Sequence, residues 1–246
     1  MRKATSATAV FPLGELRQAT FVQRDNRFRA EVLLDGQPVK VHVPNSGRMK
    51  ELLVPGAAVW VQPAAGSGRK TAYTLLLVQQ GDRFVCLNAH LANELVAFWL
   101  AQGILPGFSD AAGIRREKTY GSSRFDFCLK RQDRTCYAEV KSVNLLDGST
   151  ARFPDAPTER GSKHLQELVR CKQNGLDAAV IFLVMGNAAT DFAVNWATDP
   201  AFGQHLQEAF QAGVEIYVYT CQITLQGIRY TGTIPLQEEQ AWKSMR

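Results

Sequence analysis

Asp126 is followed, after a gap of twelve residues, by the run Glu139-Val140-Lys141, which brings two carboxylates and one ammonium into a short stretch of chain. That set of groups suits phosphodiester chemistry. A phosphodiester is anionic and repels nucleophiles, so its hydrolysis calls for a cation that neutralises developing charge and acidifies an attacking water. Asp126 and Glu139 supply oxygen ligands of the kind Mg²⁺ or Mn²⁺ prefers, and the carbonyl of Val140 can add one more. Lys141 then serves the non-bridging oxygens or the nucleophilic water.

The acids act together only if the chain sets them side by side. The segment SSRFDFCLKRQDRTCYAEVKSV reads as two strands around a polar turn, Arg131-Gln132-Asp133-Arg134. With Gln132 and Asp133 at the tip, Lys130 pairs with Thr135, Cys128 with Tyr137 and Asp126 with Glu139, and Lys141 shares the side of Glu139. The turn is neither Asn-Gly nor Asp-Gly, so this register is an inference, and a loop one residue longer or shorter would put the acids out of step. The competing reading is the solvated face of a two-stranded ribbon. Against it, Phe125, Phe127 and Leu129 alternate with the polar positions, and Ala138 and Val140 flank Glu139, the pattern of a central hairpin.

The whole chain has 246 residues, 46% of them hydrophobic, enough for one large domain or two modest ones. A formal charge of +5 gives mild support for an anionic partner such as DNA. Five cysteines without a CxxC or Cys/His cluster read as reduced core residues of a cytoplasmic protein, notably Cys86, Cys128, Cys136 and Cys221. The start MRKATSATAV lacks the apolar stretch of a secretory signal, and no run is long enough to cross a membrane. The oligomeric state stays open, a homodimer included.

The elements that must position the hairpin fall into two regions, 1–87 and 88–246. Strands are expected at Leu13 to Gln23, Phe28 to Leu34, Pro38 to Val43, Ala57 to Gln62, Ala72 to Gln79 and Arg83 to Leu87, with a helical turn at Gly47 to Leu52 and a connecting turn at Ala64 to Gly68. This describes an OB-like β-barrel, with an SH3-like barrel fitting nearly as well. Asn88 caps an expected helix to Gln102, carrying Leu91, Leu95, Phe98 and Trp99 on one side. After the hairpin come a loop from Asn144 to Pro157, helices at Thr158 to Gln173 and Pro200 to Gln211, and strands at Ala178 to Met185, Glu215 to Gln222 and Ile228 to Ile234. The unbroken apolar run Ala179 to Val184 suits a strand covered on both faces, so the second region is α/β.

Over nearly its full length the chain resembles the bacterial sugar fermentation stimulation protein A family. The motifs that carry the likeness are His42 to Met49 (HVPNSGRM), Arg124-Phe125-Asp126-Phe127, Glu139 to Val143, Phe153 to Ala156 and Thr158 to Leu165. The resemblance implies an OB-like domain followed by a PD-(D/E)xK, restriction-endonuclease-like domain, with non-specific DNA binding and a regulatory link to sugar utilisation. It also makes Asp126 and Glu139 the metal-binding acids and Lys141 the lysine of that superfamily. Glu94 stands where some nucleases of the fold carry an extra acid, although a solvent-facing helical Glu is the commoner reading.

With the resemblance, Arg160 and Lys163, on one stripe of the Thr158 helix, are expected to clamp the DNA backbone beside a phosphate-attracting helix N-terminus. His164 on that helix is expected to be structural, with a role as proton carrier as the alternative. Arg124 is assigned to DNA as the neighbour of Asp126. The Asn45 and Arg48 turn either holds a phosphate or merely caps the following turn. Asp155 is a metal ligand or a turn former, in a loop placed to act as a flap over substrate. Phe21, Phe28 and Trp60 either stack bases or fill the barrel. The expectation is thus a non-specific DNA-binding protein with a Mg²⁺-dependent phosphodiester-hydrolysing site. The alternative is a non-catalytic DNA-binding regulator of sugar (maltose-type) metabolism genes.

Overall fold

A computed structural model describes residues 9–64, 69–186 and 189–245. Part of the turn expected at Ala64 to Gly68, and most of the opening MRKATSATAV, lie outside the described residues.

A short strand, β1 (Val10–Pro12), is followed by β2 (Arg17–Asn26), β3 (Arg29–Leu34), β4 (Gln37–His42), β5 (Ala58–Pro63), β6 (Tyr73–Gln80) and β7 (Arg83–Cys86). Strands β2 to β6 close into a five-stranded barrel in the order β2-β3-β4-β6-β5, sealed by parallel pairing of Val41 and His42 with Tyr73 and Thr74. Alternation explains the closure. In β3, Ala30, Val32 and Leu34 are buried and the residues between them are not, so one face of each strand fills the barrel. The OB-like expectation is borne out. The helical turn expected at Gly47 to Leu52 is present only from Met49 onward, as a single turn in which the Met49 carbonyl accepts from the amides of Leu52 and Leu53. Met49 has a φ of 46°, which a right-handed helix cannot accommodate.

The α/β region opens with α1 (Ala89–Ala101) and continues through β8 (Ala112–Tyr120), β9 (Ser123–Arg131) and β10 (Arg134–Val143). Then come β11 (Leu145–Asp147), β12 (Thr150–Phe153), α2 (Glu159–Gln173), β13 (Asp177–Val184) and β14 (Asp191–Val194). The chain closes with α3 (Pro200–Gln211), β15 (Glu215–Ile223), β16 (Gly227–Thr233) and α4 (Glu239–Lys243). One seven-stranded sheet runs β1-β16-β15-β13-β10-β9-β8, with β10, β13 and β15 parallel at its centre. β1 therefore belongs to this sheet, pairing with β16 before the chain turns into the barrel.

β13 is buried along its length apart from Asp177, and its side chains part evenly. Ala179, Ile181 and Leu183 join the core beneath α1, while Ala178, Val180, Phe182 and Val184 join the core beneath α2 and α3. The α1 core also takes in Trp60, Leu76 and Leu77 of the barrel, so the two regions share apolar packing. Caps fix the helices: Asn88 accepts from the His90 amide, Thr158 from the Gly161 amide and Asp199 from the Phe202 amide. Asp199 also accepts from the Thr158 amide at 2.8 Å, so one carboxylate anchors the starts of α2 and α3.

Five strands, β1, β8, β11, β12 and β14, and the helix α4 escape the sequence reading. β8 is polar and lies at the sheet edge, so it lacks an apolar alternation, and β14 and α4 are very short. The expected loop from Asn144 to Pro157 contains β11 and β12, and β12 pairs in parallel with β14. The proposed flap is accordingly tied down. The Asn195 amide donates to the Phe153 carbonyl, the Asn195 side chain donates to the Pro154 carbonyl, and the Phe153 ring packs on Phe182 and Phe202. Among the described residues no helix is long and apolar enough to cross a membrane.

Candidate active site

The hairpin β9–β10 has the register read from the sequence, with Arg131 opposite Arg134, Lys130 opposite Thr135 and Cys128 opposite Tyr137. Gln132 and Asp133 both take positive φ, 46° and 65°, which forms a two-residue turn without the usual Asn-Gly. The paired ladder stops at Ala138 opposite Phe127, one step short of Asp126 and Glu139. There Asp126 Oδ2 accepts from the Val140 amide at 2.8 Å, so a carboxylate takes the place of the next strand carbonyl. Its other oxygen accepts from Asn93 Nδ2 of α1 at 2.6 Å.

Glu139 is only 4% exposed. Its Oε1 accepts from Lys141 Nζ at 2.8 Å and from His164 Nδ1 of α2, while its Oε2 is buried with no hydrogen-bond partner. Arg160 Nε lies 3.5 Å from His164 Nε2, so this imidazole donates through Nδ1 and accepts through Nε2. An orphaned buried carboxylate oxygen is costly unless something binds it. Burial, then the neighbouring Glu139, pushes the Asp126 carboxyl up to about 6, against the pull of the Val140 amide and Lys141. Burial also acts to raise Glu139, but Lys141 and His164 outweigh it and hold that carboxyl below its ordinary value.

These groups open into a cleft of ≈ 510 Å³ between the barrel and the sheet. Asn45, Arg124, Asp126, Glu139, Val140, Lys141, Asp155 and Arg160 all line it, so the structure brings most of the sequence candidates together. Arg124 pairs with Glu117 at 2.8 Å. Asn45 Oδ1 accepts from the Gly47 amide, and its carbonyl accepts from Arg24, whose guanidinium also holds the carbonyls of Arg27, Gly47 and Arg48. Arg48 lies beyond this turn, in an adjoining hollow with Arg24 and Arg27.

Other candidates sit elsewhere. Lys163 lies outside the cleft and donates to the Ser122 carbonyl at 3.1 Å. Glu94 is engaged by Arg116 on the surface, at 2.8 Å, as a solvent-facing helical acid would be. Asp155 lines the cleft, its Oδ2 is buried without a hydrogen-bond partner, and burial raises its pKa. Sequence reasoning missed Asn93, Arg27, His90, Ser142 and Asn144 as cleft residues. Asn93 was legible in principle, as a polar break one turn after Ala89 in a helix otherwise apolar on that side.

A donor set of two carboxylates and the backbone fits a hard divalent cation. Among the described residues no three His, Cys, Asp or Glu side chains gather to hold a metal on their own, so Asp126 and Glu139 need a carbonyl and water to complete a site.

An OB barrel joined to a restriction-endonuclease-like α/β domain, with paired acids and a lysine where its central strands part, defines the class of protein. The sequence models agree with it. The model described as the sugar fermentation stimulation protein RE domain matches residues 90–227, and that of the SfsA N-terminal OB domain matches residues 22–87. The chain belongs to the sugar fermentation stimulation protein family. A homolog from Desulforamulus reducens is 44% identical over 92% of this chain and 94% of its own length. A homolog from Methanobrevibacter smithii is 45% identical over 85% of this chain and 91% of its own. SfsA of Pyrococcus furiosus, solved in complex with Ca²⁺, superposes with a TM-score of 0.88 at 28% identity, covering 94% of this chain and all of that one.

Proposed function

We propose that this member of the sugar fermentation stimulation family binds DNA without sequence preference and hydrolyses its phosphodiesters with Mg²⁺ or Mn²⁺. The observation that carries the reading is the partnerless buried oxygen of Glu139 beside the Asp126 carboxylate, in a cleft lined by Lys141, Arg124 and Arg160. The Ca²⁺ complex of the Pyrococcus furiosus relative supports it.

Asp126, Glu139 and the Val140 carbonyl would hold the cation, which when bound supplies charge neutralisation at the phosphate and an acidified water. His164 and Lys141 occupy one oxygen of Glu139 and leave the other to the cleft. Lys141 Nζ, anchored on Glu139, can turn its remaining protons to the non-bridging oxygens as negative charge builds there. Asn93 and the Val140 amide fix both oxygens of Asp126 and spare the reorganisation of a free carboxylate. Arg160, in the first turn of α2, binds the adjoining phosphate.

The test incubates the protein with end-labelled single-stranded, duplex and flapped DNA under Mg²⁺, Mn²⁺ or chelator, beside Asp126→Ala and Glu139→Ala. Metal-dependent cleavage by wild type alone, with DNA affinity kept in both variants, is expected. Binding without cleavage under every condition would instead favour the non-catalytic regulator of sugar-metabolism genes. That second reading draws on the Lys141 and His164 contacts, which give Glu139 a structural role of its own.

A further inference from the structure

Of the aromatic residues considered for base stacking, Phe21 and Trp60 are 2% and 6% exposed and belong to cores, whereas Phe28 is 52% exposed. Phe28 sits in the turn between β2 and β3 with its backbone held at both ends. Its amide donates to Asn26 Oδ1 at 2.9 Å, and its carbonyl accepts from the Val43 amide at 2.9 Å and contacts His42 Nδ1 at 3.1 Å. The ring is thus presented to solvent from a fixed backbone. It borders a groove of ≈ 800 Å³ lined also by Arg29, Lys40, His42, Arg69 and Lys70.

Asp25 pairs with Arg29 and Lys40, and Glu31 with Lys40, so part of this charge is answered within the barrel. Arg69 and Lys70 lie at the exposed rim. His90, at the start of α1, lines both this groove and the cleft that holds Asp126 and Glu139, so the two openings adjoin at that side chain.

We infer that this groove is a single-stranded DNA subsite, in which a base stacks on Phe28 while Arg69 and Lys70 track the phosphates and the strand continues past His90 into the cleft. An exposed ring on a fixed backbone beside cations suits a single strand, because stacking reads any base and the cations neutralise the backbone. A duplex keeps its bases paired and cannot use the ring. The inference rests on the DNA-binding part of the proposed function and narrows its substrate to DNA with a single-stranded portion.

The test is fluorescence anisotropy in chelator over a series of salt concentrations, with labelled oligothymidylate and a duplex of equal length, for wild type, Phe28→Ala, Phe28→Trp and the pair Arg69→Gln with Lys70→Gln. Phe28→Ala is expected to weaken oligothymidylate binding roughly tenfold and leave duplex binding within about twofold, with Phe28→Trp near wild type. The double Gln variant should flatten the salt dependence of oligothymidylate binding by about one to two counterions. Because the ring is exposed, Phe28→Ala should melt like wild type, and circular dichroism checks this. Equal weakening on both DNAs, or no weakening, overturns the inference. Cleavage plays no part in the assay, so DNA binding without hydrolysis removes the catalytic reading and leaves the subsite standing, while duplex binding without oligothymidylate binding removes the subsite alone.

Discussion

Asp126 Oδ2 accepts a hydrogen bond from the Val140 amide at 2.8 Å, across the point where β9 and β10 stop pairing. A backbone donor inside a sheet normally meets a carbonyl. Here it meets a carboxylate, and the strand that carries Glu139 is held to the strand that carries Asp126 by the functional group itself.

That carboxyl is pushed up to about 6 by burial and by Glu139, well above its value in an unfolded chain. Between about pH 4 and pH 6 the folded protein therefore holds a proton that the unfolded chain has released, and stability falls as pH rises through that window. Asp126→Asn should flatten this slope. Above about pH 7, in chelator, it should be more stable than wild type by on the order of 2 kcal/mol. Urea titrations on both sides of the window measure it, and identical slopes for the two proteins would count against the assignment.

His164 supplies one of the two donors to the buried oxygen of Glu139. His164→Ala leaves that carboxylate to Lys141 alone, so a loss of about 2 kcal/mol is expected at neutral pH. An unchanged denaturation midpoint would mean that water replaces the imidazole at no cost.

Gly47 faces Asp155 so closely that an added Cβ would lie 1.9 Å from Asp155 Oδ2. Gly47→Ala should cost about 1 to 3 kcal/mol, because the carboxylate must leave its place in the cleft wall. Adding Asp155→Ala should recover most of the loss, and a double-mutant cycle reads the coupling. Simple additivity would refute the contact.

Arg124 and Arg160 line the cleft and Lys163 does not. On the proposed reading, Arg124→Ala and Arg160→Ala should each weaken duplex binding several-fold and reduce its salt slope by about one. Lys163→Ala should change neither by as much as twofold. Filter binding over a range of salt distinguishes them, and a large effect at Lys163 would move the DNA path onto the outer face of α2.

The hairpin was legible because period-two alternation and a central polar turn leave few registers open, and the observed pairing follows the one expected as far as Phe127 and Ala138. What lay beyond reach was the splaying at Asp126, which depends on Asn93 from a helix more than thirty residues away in sequence. The barrel strands carried the same alternation and were found with shifted ends. The helical turn starts at Met49 and not at Gly47, because the positive φ that breaks the helical path there leaves no mark in an apolar side chain. β8 went unseen since a sheet-edge strand facing water on one side needs no hydrophobic pattern. Lys163 shared the spacing of Arg160, but a three-residue step along a helix turns a side chain far enough to leave a narrow cleft.

The pairing of β1 with β16 means that the chain visits the large sheet, departs to build the barrel, and comes back. The barrel is an insertion with two tethers, one running from β1 into β2 and one from β7 into α1, and the β7 end is pinned further where the Cys86 amide meets the Met185 carbonyl at 2.8 Å. A body hung from a single linker can swing like a jaw. One hung from two is restricted to small twists, so the walls of the cleft keep their spacing and, on the proposed reading, a DNA strand would enter by threading along the trough.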